Sequence, residues 1–218
     1  MQQPSTLSTA STSRPAPRTW SSRLWDVRWN LPWMFEEVAV EPVTFDDAIP
    51  FVQQHYPRIF GTHGGDRFLS DPLTETKRRF CAEMDVFQFR VPEGVIGVIM
   101  GHPADWTTYY IRTAAFLPEY RERRLATRYL ERLYQPLREA GVERIEAETS
   151  PANLPMMRIF LGQGFMMTST ATTERWGYVA RFTKYLREEG EAVFLRQYCV
   201  APLRNGPAVN PEPQRRKP

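Results

Sequence analysis

Apolar residues recur along this chain in two rhythms. Over Leu125–Ala140, Leu125, Tyr129, Leu130, Leu133, Tyr134 and Leu137 fall on one side, which predicts a helix. Gly141 is its predicted C-cap, and Pro136 is expected to kink the last turn. Elsewhere the apolar positions alternate or run together in short blocks. This predicts strands over Glu37–Val43, Val86–Val91, Val95–Gly101, Thr108–Phe116, Arg144–Thr149, Phe165–Thr173 and Tyr178–Leu186. The second and third of these read as a hairpin across Pro92-Glu93-Gly94, and the last two as a closing hairpin. Helices are expected at Asp46–Ile59, Thr74–Met84 and Leu154–Leu161, and a loop at His63-Gly64-Gly65-Asp66. Grouped strands with interposed helices predict a mixed α/β sheet.

Four of the six tryptophans, Trp20, Trp25, Trp29 and Trp33, stand near the N-terminus. The last three are spaced at i, i+4 and i+8. They predict a helix capped by Ser21 or Ser22 and ended by Pro32, its Trp face packed on the domain. With Arg23 and Arg28 flanking the rings, a surface for a membrane, a partner subunit or an acyl chain stays open. Residues 1–19 are rich in Ser, Thr and Pro, and the chain from Ala201 is rich in Pro, Gly and Asn, so both ends read as disordered tails.

Charge separates these tails from the body. Residues 1–29 carry four arginines against Asp26, and 203–218 carry four cations against Glu212. The chain as a whole is +3, so residues 30–202 come to −3. The pI near 9.0 therefore belongs to the tails. It does not indicate a basic groove, and no nucleic-acid partner is expected. Cys81 and Cys199 are far apart in sequence, and His55, His63 and His102 lack ligand spacing. No metal site is expected, and each histidine reads as a surface or loop residue. No run of about eighteen apolar residues and no apolar leader occurs, so a cytoplasmic protein without a transmembrane segment is expected.

The chemistry concentrates between Thr108 and Phe165. A strand ends at Phe116 and runs into Leu117-Pro118-Glu119-Tyr120-Arg121-Glu122-Arg123-Arg124-Leu125-Ala126 at a helix start. Such a place offers N–H groups and positive charge to phosphate. Further on stands Asn153-Leu154-Pro155-Met156-Met157-Arg158-Ile159-Phe160-Leu161-Gly162-Gln163-Gly164-Phe165. The two segments match, in spacing and order, Arg/Gln-x-x-Gly-x-Gly/Ala and Asn-x-x-Ala-x-x-x-Tyr-x-x-x-Gly-Phe. On them the chain resembles the GNAT superfamily of acyl-CoA-dependent N-acyltransferases, over roughly Val38–Arg187.

That resemblance implies a single mixed, mostly antiparallel sheet flanked by helices. It implies a tail at 1–19, a Trp-rich segment at 20–37, an acyltransferase domain at 38–187 and a C-terminal extension at 188–218. It also implies acetyl-CoA or another acyl-CoA as donor, and an amine acceptor of unknown kind. Phe116, Leu117 and Pro118 would border the pantetheine arm, Arg121, Glu122, Arg123, Arg124, Leu125 and Ala126 would cradle the pyrophosphate, and Asn153 would bond the arm. The strands ending at Phe116 and Thr149 would splay to admit the thioester. A homodimer is left open.

This chain departs from the pattern at three positions. Arg124 and Glu122 stand where glycines are usual, and Arg124 is expected to keep a negative φ. Phe160 stands where a tyrosine would protonate the leaving thiolate. Tyr110 or water would substitute, or the reaction runs without an acid, because a thiol of pKa about 8.5 leaves tolerably. Glu146 and Glu148 share one face of their strand, and Glu148, nearer its end, is the candidate base. The blander reading of Glu148 is a solvent-facing or salt-bridged side chain. Met156, Met157, Met166 and Met167 gather near Phe160, which suits core packing or an acyl chain longer than acetyl. Three readings stay open: an N-acyltransferase, a degenerate acyl-CoA-binding domain, and an interaction protein.

Overall fold

The computed structural model describes residues 19–61, 74–173 and 177–198. The two tails, the His63–Asp66 loop, Arg175 and Cys199 lie outside them. Among the described residues, six α-helices run α1 Trp20–Leu24, α2 Phe45–Phe60, α3 Glu75–Ala82, α4 Leu125–Glu139, α5 Leu154–Gly162 and α6 Glu188–Tyr198. Eight strands run β1 Trp33–Phe35, β2 Val38–Pro42, β3 Asp85–Val91, β4 Gly94–Pro103, β5 Thr108–Phe116, β6 Arg144–Thr149, β7 Met166–Thr173 and β8 Gly177–Tyr185. They form one sheet in the order β1-β2-β3-β4-β5-β6-β8-β7, antiparallel throughout except at β5–β6. The expected mixed, mostly antiparallel sheet is the one that forms.

Each face of the sheet is covered where its apolar side chains point. On one face, Leu125, Tyr129, Leu130, Leu133 and Leu137 of α4 pack with Phe87, Phe89, Ile111, Ile145 and Phe182. On the other, Phe45, Ala48, Phe51 and Ile59 of α2 lie over Val86, Val98, Met100 and Ala115. Thr44 caps α2 by accepting from the Asp47 N–H at 3.1 Å, with Asp46 and Asp47 in the first turn complementing the helix dipole. Helix α4 ends at Ala140. Gly141 follows at φ +86°, donating to Arg138, while Val142 donates to Leu137 at 2.9 Å. The glycine thus sits one residue beyond the cap, in the left-handed slot of a Schellman turn.

The N-terminal tryptophans correct the expected long helix. Helix α1 is five residues, capped by Thr19 rather than by Ser21 or Ser22, and Asp26 and Asn30 then adopt positive φ. Those two residues break the period, so Trp33 enters the edge strand β1. The packing was read correctly. Trp29 meets Phe87 and Tyr109 edge-on, and Trp33 stacks on Phe87 at 5.9 Å. This strap also buries Asp85, which is 2% exposed and accepts a short hydrogen bond from the Ser21 hydroxyl. Burial pushes the Asp85 carboxyl up to about 6, against the pull of that hydrogen bond. Its Oδ1 has no hydrogen-bond partner among the described residues, nor have the buried Tyr109 and Tyr129 hydroxyls.

Candidate active site

The parallel pair at the middle of the sheet comes apart. Thr108–Ile111 pair with Arg144–Ala147, and the pairing then stops, although β5 runs on to Phe116 and β6 to Thr149. The departure coincides with a bulge: Met100 of β4 faces Thr113 and Gly101 faces Ile111, which leaves Arg112 as an extra residue on β5. From Thr113 to Phe116, β5 is paired on its β4 side alone among the described strands, and its remaining backbone groups face the gap toward the C-terminal ends of both strands.

Glu148 and Tyr110 lie on the face turned away from α4, at the mouth of this gap. Alternation along β6 buries Ile145 and Ala147 and turns Glu146 and Glu148 the other way. The Tyr110 hydroxyl donates to Glu148 Oε2 at 3.3 Å. Arg181, directly opposite Glu148 on β8, donates to Oε1 through Nε and Nη2 at 2.9 and 2.7 Å. The array continues through Glu146 to Arg144, and from Arg144 to Asp105 at 3.1 Å. Glu148 is thus both the expected face residue and ion-paired. Burial, then the Glu148 charge, push Tyr110 up to about 12, so its hydroxyl stays protonated. His102 is not a loop residue. It lies on β4, half-buried, its ring 5.6 Å from that of Tyr110 and its pKa held down by burial.

Beyond Phe116 the chain makes a short 3₁₀ turn at Pro118–Tyr120 and reaches Arg124, which has no side-chain cap to offer α4. The helix start is left with its N–H groups facing outward. The arginines here are not alike. Arg121 donates to the carbonyls of Ile59, at 2.6 Å, and Phe116, at 3.4 Å. It ties the end of α2 to the end of β5, and its own N–H is taken by Pro118. Arg123 pairs with Glu37 and covers the Tyr120 ring. Arg124 is exposed, with no ion pair among the described residues. Its φ is +58°, contrary to the expected negative value, and that of Glu122 is +65°. The turn into α4 requires left-handed residues at both places, which is why glycine suits them. In Glu and Arg this conformation costs about 1–2 kcal/mol each.

Asn153 caps α5, accepting from the Met156 N–H at 3.3 Å, so its amide N–H groups remain to donate. Because β5 and β6 are parallel, Asn153 after β6 and the turn after β5 lie at the same edge of the sheet. The Gly164-Phe165 pair has a structural reason. Gly164, at φ +78°, donates to Leu161, and Phe165 donates to Phe160, both at 3.0 Å. The two rings then pack 5.0 Å apart, the apolar contact that closes a Schellman turn. Phe160 is 1% exposed, also against Phe182, and brings no hydroxyl. Among the methionines, Met156 and Met157 pack against the core while Met167 is exposed.

The sequence model of the Acetyltransferase (GNAT) family matches residues 49–165, more than half of the chain. The chain belongs to the GNAT family. Solved structures agree on the fold. A GNAT family acetyltransferase from Elizabethkingia anophelis, solved with acetyl-CoA bound, is 13% identical at a TM-score of 0.52, covering 69% of this chain and 99% of its own. The GNAT domain of S. lividans PAT is 19% identical at 0.53, covering 72% and 97%. The ribosomal-protein-S5-alanine acetyltransferase from Vibrio fischeri is 13% identical at 0.55, covering 73% and 98%. A comparison with curated proteins finds no sequence match. Among the described residues of this GNAT protein, no His, Cys, Asp and Glu cluster could hold a metal, and no helix is long and apolar enough to cross a membrane.

Proposed function

We propose that this GNAT protein is an acyl-CoA-dependent N-acyltransferase that passes an acetyl group to a primary amine by direct attack in a ternary complex. The observation that carries the reading is the parting of β5 and β6 beside Glu148 and Tyr110. The backbone from Thr113 to Phe116, without a partner on its β6 side among the described strands, accepts a pantetheine arm as an added strand, with Leu117 and Pro118 at its end. The outward N–H groups at the start of α4, with Glu122, Arg123, Arg124, Leu125 and Ala126 around them, receive the pyrophosphate. The free Arg124 fork answers its charge, and Arg121 holds the turn in place. The Asn153 amide donates to the arm.

Attack requires a neutral amine. Glu148 keeps a lone pair of Oε2 toward the gap beside the one Tyr110 occupies, and takes the amine's proton there. Tyr110 retains its proton until then. Burial holds the phenol proton first and the Glu148 charge second, so neutralising Glu148 removes the second hold and makes Tyr110 a better donor to the departing thiolate. Arg181 fixes Glu148 throughout.

Acetyl-CoA is expected to raise the melting temperature, and thiol release with an amine panel measures turnover. Glu148→Gln should lower kcat by about 10²–10⁴-fold while leaving that melting shift intact. An unchanged kcat removes Glu148 as the base. A second reading, binding without turnover, is favoured by the loss of a hydroxyl at Phe160. It predicts a melting shift with no thiol release from any amine.

A further inference from the structure

Beside the gap between β5 and β6 stands a guanidinium with no ion pair among the described residues. Arg144 and Arg181 between them answer Asp105, Glu146 and Glu148. Arg112, the extra residue of the bulge, is exposed and has no carboxylate partner among the described residues. It follows Ile111, which packs on the α4 side, so the alternation turns it to the face of the Glu148–Tyr110 pair, where its charge bears on Tyr110, on His102 and on Cys81 of α3. Nearby, Phe80 of α3 is 45% exposed and packs edge-on to Trp20 at 4.5 Å, and its ring lies 6.2 Å from that of His102. The buried His102 Nε2 has no hydrogen-bond partner among the described residues.

From these positions we infer that Arg112 binds a carboxylate of the acceptor, so that the acceptor class is an amine bearing a carboxylate: an amino acid or a close derivative. This deepens the acyltransferase reading and rests on it. Arg112 stands two residues beyond Tyr110, about 7 Å along a strand. An amine at the thioester therefore places any group a few bonds away within reach of the long side chain. A guanidinium fork matches the two oxygens of one carboxylate. A doubly charged phosphate would instead meet the carboxylates of Glu146 and Glu148 on the same face. The aromatic wall of Phe80, Trp20 and His102 would border the acceptor's side chain.

The test uses the full chain, acetyl-CoA, and matched amines: amino acids, their amides, and the amines left by removing the carboxyl group. Wild type should release thiol with carboxylate-bearing amines and turn over their carboxylate-free counterparts about 10–150-fold less efficiently, the worth of one charge-assisted hydrogen bond. Arg112→Gln should raise KM for the carboxylate-bearing amines by a similar factor. Its melting shift with acetyl-CoA should stay unchanged, its loss with the carboxylate-free amines should be smaller by about that factor, and Arg112→Lys should restore part of the preference. Equal use of both sets, turnover confined to the carboxylate-free set, or an Arg112→Gln loss falling equally on both would overturn the inference and leave the donor reading standing. No melting shift of wild type with acetyl-CoA would sink the donor reading, and this inference with it.

Discussion

Replacing Asp85 by Asn should flatten the pH dependence of stability. In the folded protein the Asp85 carboxyl is pushed from 3.8 up to about 6 by burial beneath the Trp strap. A raised folded pKa means that the neutral acid is the form folding prefers. Its contribution is therefore complete below about pH 4, falls as pH rises through 6, and is flat above that. The shift of about two units corresponds to about 3 kcal/mol at about 1.36 kcal/mol per unit. Asn keeps an acceptor for the Ser21 hydroxyl and adds an amide donor that Tyr109 or Tyr129 can accept, without a charge to bury. Urea unfolding of both proteins between about pH 4 and pH 7 measures the difference. The Asn variant should gain on wild type by up to about 3 kcal/mol across that range, most of it below pH 6. A difference independent of pH would refute the reasoning, because the charge would then not be desolvated in the fold.

Other outcomes follow from the same contacts. Phe160→Ala should cost about 3–5 kcal/mol in chemical unfolding, because the ring is enclosed by Phe165 and Phe182. Arg124→Gly should change stability by less than about 1 kcal/mol, strain relief offsetting chain entropy, whereas Arg124→Val should lose about 1–2 kcal/mol at the same positive φ. Tyr110→Phe should reduce kcat by about 10²-fold or more while acetyl-CoA still raises the melting temperature. Ser21→Ala should lose about 1–3 kcal/mol, because it leaves the buried Asp85 carboxyl without its donor.

Long strands and helices were legible wherever local period and tertiary burial agree. Thr108–Phe116 and Arg144–Thr149 emerge with the same bounds, since alternation there is what the two covered faces demand. The Trp segment misled because i, i+4, i+8 spacing mimics a helix face, while Asp26 and Asn30 turn the backbone out of it. Strand β1 has three residues, too few to show a period, and α6 was folded into an extension although Val193 and Phe194 lie on it. At the candidate site, alternation singled out Glu148. Arg181 escaped because its meeting with Glu148 depends on cross-strand register, which no local pattern encodes. Arg112 escaped because a bulge is a mismatch between two strands and is invisible in either alone.

The left-handed residues at Glu122 and Arg124 bear on binding as well as folding. A glycine at either place would leave the turn free to sample other shapes, and a ligand would have to freeze it. Two residues with β-carbons hold this conformation only because the Arg121 anchor, the 3₁₀ turn and α4 over-determine it. The cradle is thus shaped before anything enters it. Part of the ordering cost that association would otherwise carry is met during folding. Where glycine would give the turn adaptability, this chain has rigidity, and in the proposed reading that shape selects among the anions the turn receives.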